Sequence, residues 1–114
     1  MTRRGLLLAL LATPAAAHIH PEQGSRLTPH NEWLNRQFAI DGMKCCNEHD
    51  TEILADFRWR MVGGRYEVEI DGVWVPIPPG RVMRPIPSDP TPYQEALLFR
   101  TGPAIWCFMP APLY

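Results

Sequence analysis

The stretch "RMVGGRYEVEIDGVWV" (residues 60–75) constrains the fold more than any other part of the chain. Apolar and charged side chains alternate on both sides of two short loops, Gly63-Gly64 and Asp71-Gly72. Alternation at period two is the pattern of a half-buried strand. Two-residue loops of this composition accept positive φ at both positions, which a tight hairpin turn requires. Upstream, "DFRWRMV" sets Phe57, Trp59 and Met61 against Arg58 and Arg60. Downstream, "RYEVEI" sets Tyr66, Val68 and Ile70 against Glu67 and Glu69, and "VWVPI" resumes the alternation. The pattern predicts a three-stranded antiparallel meander. Arg58 and Arg60 are expected to lie cross-strand from Glu67 and Glu69 on the wet face. Pro76 cannot donate to a ladder, so the third strand should be an edge or end there.

The flanks complete an α+β reading. "EALLFR", a turn at Thr101-Gly102-Pro103 and "AIWCFM" predict a C-terminal hairpin. The last strand is apolar on both faces, which places it centrally in a sheet. Thr28 suits a helix N-cap and Pro29 the first helical position, with Trp33, Leu34 and Phe38 on one face. That predicts one short helix ending before Asp41-Gly42. Residues 18–27 show no periodicity and read as an extended, flexible leader. The proline-dense stretch 76–92 reads as a stiff surface loop. One small α+β domain over residues 28–114 follows.

The N-terminus, "MTRRGLLLALLATPAAA", has a short basic head, an apolar run and small residues at its end. This is the anatomy of a secretory signal cleaved after Ala17. The run is shorter than the roughly 20 apolar residues of a membrane span. Arg3 and Arg4 also resemble a twin-arginine signal, but the leucine-rich run suits the general secretory route better. The mature chain would run from residue 18 to 114, in the periplasm or outside the cell. The whole chain carries 11 basic and 12 acidic residues, so losing Arg3 and Arg4 leaves nine against twelve, a net charge near −3. This balance offers no basic footprint for nucleic acid and no polybasic patch for a membrane surface. The partner expected is a protein or a small molecule.

The chain has three cysteines, Cys45, Cys46 and Cys107. Outside the cytoplasm cysteines tend to pair. Neighbours rarely bond to each other, because the small ring strains the peptide. Cys107 is therefore expected to pair with Cys45 or Cys46. The bridge would close a loop of roughly 60 residues, worth about 4 kcal/mol in the chain-entropy view. One thiol is left over, and an odd cysteine in a secreted chain is a flag for a reactive thiol or an intermolecular bond.

"GMKCCNEHDT", "DGVWVPIPPGRVM" and "AIWCFMP" together resemble an uncharacterised family of small secreted alpha-proteobacterial proteins. Those have a Cys-Cys pair, a third cysteine five residues after it, a DG-W-V-P-P stretch and a final cysteine before a proline-rich end. The resemblance spans roughly residues 33–112 and implies architecture, not an activity. It also implies that the cysteines are structural. Thr51 stands where the third cysteine belongs, so two bridges become one here and the spare thiol is a remnant.

Two metal readings compete with a plain disulfide. Cys46 and His49 lie three apart, beside Asp50 and Glu52, a donor set that suits zinc or copper. A structural zinc site wants four ligands, and a polar loop beside a disulfide explains the cluster as well. After cleavage the new N-terminus would read His18-Ile19-His20. A free amine, two backbone amides and the His20 imidazole can make the square-planar nitrogen set that Cu(II) favours. No Cys-x-x-Cys pair, nucleophile elbow or phosphate loop is present. The function expected is a secreted, non-enzymatic binding or envelope-associated module. A copper-binding protein is the first alternative and a thiol-redox factor the second.

Overall fold

The computed structural model describes residues 21–45, 48–84 and 86–112. The meander is present as β2 (Trp59–Val62), β3 (Arg65–Ile70) and β4 (Val73–Pro76), paired antiparallel in that order. Gly63, Gly64, Asp71 and Gly72 all have positive φ, 52° to 82°, as mirror-image hairpin turns demand. Arg60 faces Glu67 in the register and pairs with it at 2.7 Å. Pro76 is the last residue of β4, an edge strand.

The C-terminal hairpin is also present, as β5 (Ala96–Thr101) and β6 (Ala104–Met109). It belongs to a second three-stranded sheet, ordered β1-β5-β6. The strand β1 (Thr51–Leu54) has only four residues, too few to show a period in the sequence. The central strand of this sheet is β5, whose first four residues are all buried, and not the last strand β6 as the sequence predicts. Beyond β6, Val82 bridges Phe108 in parallel and Met83 N–H donates to the Phe108 carbonyl at 2.9 Å. A stretch of the proline-dense connection thus covers the β6 edge, and Ala39 in turn bridges Met83.

This second sheet is the middle of three layers. Thr51, Phe99 and Cys107 align across one face, with Ile53, Leu97 and Met109 beside them. That face packs against Leu27, Trp33, Leu34, Met83 and Tyr93. The other face presents Leu54, Ala96, Leu98 and Phe108 to Val68, Ile70 and Ile77 beside the meander. Trp59, Tyr66 and Phe108 meet across the sheet interface with ring centroids 5.2 to 6.1 Å apart. Each fully buried Leu or Phe contributes about 1.5 to 3 kcal/mol. A central layer buried on both sides therefore dominates the stability.

Two expectations about local structure need correction. The segment read as a flexible leader contains α1 (Pro21–Leu27), and the helix does not begin at Thr28. A 3-10 turn at Thr28–His30 joins it to α2 (Asn31–Leu34). Thr28 does not cap: its hydroxyl donates back to the Gly24 carbonyl at 2.8 Å. Pro29 lacks the N–H that would carry an α-helical bond through this point. Tertiary contacts hold α1, because Leu27 is fully buried and Arg26 pairs with Glu95 at 2.7 Å. The Gln23 amide also donates to the Ile53 carbonyl and accepts from the Ile53 N–H, both at 3.1 Å. One side chain thereby occupies the free edge of β1 as a neighbouring strand would.

The second correction concerns Phe57. A 3-10 turn at Asp56–Arg58 replaces the start of the expected strand, and Phe57 is 79 % exposed. The cause is Arg58, whose guanidinium turns into the space between the sheets. It contacts Glu52 of β1 at 2.8 Å and Glu69 of β3 at 3.1 Å, and donates to the Glu69 carbonyl at 2.7 Å. Arg100 of β5 approaches the other Glu52 oxygen at 3.2 Å. Burial pulls the Arg58 guanidinium down, but the bonds and charges of Glu52 and Glu69 outweigh it and hold it above its ordinary value. These four side chains tie the two sheets together.

Candidate functional site

Of the two expected pairings, Cys45–Cys107 is the one formed, with Cα atoms 5.4 Å apart across a sequence separation of 62. Both cysteines are fully buried in the cluster of Leu34, Phe99 and Tyr93. Local alternation explains the choice. Phe38 bridges Lys44 and both are exposed, so Ala39 and Cys45, one position on, turn inward. Cys45 N–H donates to the Gln37 carbonyl at 3.0 Å, which fixes the segment. A charged Lys44 pointing out is the signal that selects Cys45, given an extended backbone.

The other expected site residues separate. His18, His20 and Cys46 lie outside the described residues. His49 is exposed in a 3-10 turn at Glu48–Asp50. Among the described residues no three His, Cys, Asp or Glu side chains come together as a metal site. Thr51 is buried in β1 opposite Phe99. Trp59 and Trp106 pack against the two cores, and Trp74 lies under Arg60 with 3.9 Å from the guanidinium carbon to the ring centre.

Sequence reasoning missed a groove of about 450 Å³. This lies within the size range of small-molecule sites, roughly 300 to 1,000 Å³. Four separate parts of the chain wall it: Trp33 of α2, Gln37 with Ile40, described residues between Val82 and Thr91, and residues 109–112. Its apolar lining includes Trp33, Ile40, Met83, Ile86 and Met109, with prolines from both proline-rich stretches. Ile40 and Ile86 are exposed, at 50 % and 36 %. The walls are pinned. Trp33 Nε1 donates to the Asp89 carbonyl at 3.1 Å, and Arg36 grips the Asp89 carboxylate with two bonds of 3.1 and 3.2 Å. The Arg36 hydrogen bond to Asp89 raises the guanidinium above its ordinary value. Behind Trp33, Tyr93 stacks edge-on at 6.0 Å, and burial pushes its phenol up to about 12. Gln37, almost fully buried, spends its amide nitrogen on the Trp33 carbonyl at 2.7 Å.

The groove's one carboxylate, Asp89, is neutralised by Arg36, and its described lining holds no His, Cys or Ser. Other exposed apolar side chains, Phe57, Met61, Val62 and Val73, are on or beside the meander strands. Among the described residues no helix is long and apolar enough to cross a membrane. The only hints of the groove in the sequence were Trp33 and the two proline-dense stretches, since its walls meet only through the tertiary fold. No family model, curated protein or solved structure matches the chain.

Proposed function

We propose that the protein is a small, non-enzymatic binding module of the periplasm or extracellular space, and that the groove beside Trp33 holds its ligand. The carrying observation is the groove itself: concave, mostly apolar, and pinned by hydrogen bonds before any ligand arrives. A preformed site avoids much of the ordering cost of binding. Export agrees with the signal-like N-terminus and with a bridge of the kind that persists in oxidising compartments. The lining supplies no nucleophile beside a base, which supports binding over catalysis.

The test uses the neutral apolar dye N-phenyl-1-naphthylamine. Its fluorescence should rise on titration with the protein. The rise should be lost in Ile86→Asp, which sets a charge in the groove at a site exposed enough to spare the fold. An equal rise in Ile86→Asp and parent protein would place the apolar site elsewhere.

A further inference from the structure

The polar groups of the groove are nearly all spent inside the protein. Trp33 Nε1 and the Asp89 carboxylate are engaged as described, and the Gln37 amide nitrogen is held by Trp33. Thr91 Oγ1 accepts from the Tyr93 N–H at 3.0 Å. Arg84 is the exception. Its exposed guanidinium makes one long hydrogen bond, Nη2 to the Ile40 carbonyl at 3.3 Å, and has no carboxylate partner among the described residues. Its main chain is fixed, since Arg84 N–H donates to the Phe38 carbonyl at 3.1 Å. A guanidinium carries five donors in a planar fork that fits a carboxylate with two parallel bonds. The site therefore combines an apolar trough with one anchored cation at its wall.

We propose that the groove binds a single-chain aliphatic carboxylate, with the chain along Trp33, Met83 and Met109 and the headgroup on Arg84. This deepens the reading of the groove as a ligand site and rests on it. Charge selects the headgroup. One arginine balances one negative charge, whereas a phosphate monoester brings about −1.5 to −2. An exposed pair of this kind gains only about fivefold in affinity and weakens with salt. Chain length carries the rest, up to about fourfold per buried methylene.

The experiment is a titration followed by NMR on ¹⁵N-labelled full-length protein. The reporter is the indole N–H of Trp33, with the indoles of Trp59, Trp74 and Trp106 as controls. The probes are hexanoate, octanoate, decanoate, decan-1-ol and decyl phosphate. Decanoate should shift the Trp33 indole selectively, and affinity should rise along the carboxylate series. Decan-1-ol should bind the same site about fivefold more weakly, and Arg84→Gln should bring decanoate to the level of decan-1-ol without changing decan-1-ol itself. Equal binding of alcohol and acid, or of acid to both proteins, overturns the carboxylate assignment and leaves the groove reading standing. Tighter binding of decyl phosphate also overturns it. If no probe moves the Trp33 indole, both readings fall. If that indole shifts with protein concentration alone, a second copy occupies the groove and the carboxylate assignment falls.

Discussion

Replacing both bridged cysteines, Cys45→Ala with Cys107→Ala, should cost about 5 to 6 kcal/mol. The bridge spans 62 residues, and the chain-entropy relation gives about 4 kcal/mol for a loop of that size. Both sulfurs are fully buried between the helical layer and the central sheet, so their removal adds about 1 to 2 kcal/mol of lost packing. A domain of this length has a total stability of about 5 to 15 kcal/mol, so the variant is brought close to unfolding. With a urea slope of about 1.5 kcal/mol/M, the midpoint should fall by roughly 3.5 to 4 M. The assay is urea unfolding monitored by tryptophan fluorescence, on parent, double variant and Cys46→Ala. Cys46→Ala should keep the parent midpoint and have an intact mass two hydrogens below the fully reduced form. A double variant that unfolds within about 1 M of the parent would refute the reasoning, as would a fully reduced mass for oxidised Cys46→Ala.

Glu52→Ala should cost about 2 kcal/mol, because it strips a partly buried carboxylate from both Arg58 and Arg100; chemical denaturation measures it, and a change under about 0.5 kcal/mol contradicts the bridging role. Gln23→Ala should cost about 1 to 2 kcal/mol and speed amide exchange at Ile53, since it uncovers the β1 edge; unchanged exchange there would refute the edge role. For Tyr93, the phenol pKa is raised by burial from 10.0 to about 12, so the folded state holds its proton longer than the unfolded chain. Its contribution is complete below pH 10 and is lost as pH rises from 10 to about 12, so stability should fall in that window and the fall should shrink in Tyr93→Phe. Copper titration of the processed chain should give a d–d absorption band that His20→Ala removes; a band that survives places the copper elsewhere, with His49 next to test.

What the sequence revealed depended on how local the cause was. The meander could be read because two-residue turns and alternation are properties of neighbouring residues, and the Arg60–Glu67 pair follows from the register alone. The bridge was legible to within one residue; choosing Cys45 required knowing that Lys44 sits in an extended ribbon facing out. By contrast, α1 has a single buried anchor among its described side chains, Leu27, and is held by Gln23 reaching β1 and Arg26 reaching Glu95, so no local period announces it. Phe57 was misplaced because Arg58 is drawn inward by Glu52 and Glu69, a pull that comes from two other strands. The groove was invisible for the same reason, since residues 33, 86 and 109 meet only through the tertiary fold.

The central claim, that the groove beside Trp33 is the binding site, is tested most directly by intermolecular NOEs between bound N-phenyl-1-naphthylamine and methyl-labelled protein. The structure predicts NOEs from the dye to the Met83 and Met109 methyl groups and to the Ile40 and Ile86 side chains. NOEs confined to Met61, Val62 and Val73 of the meander would contradict it.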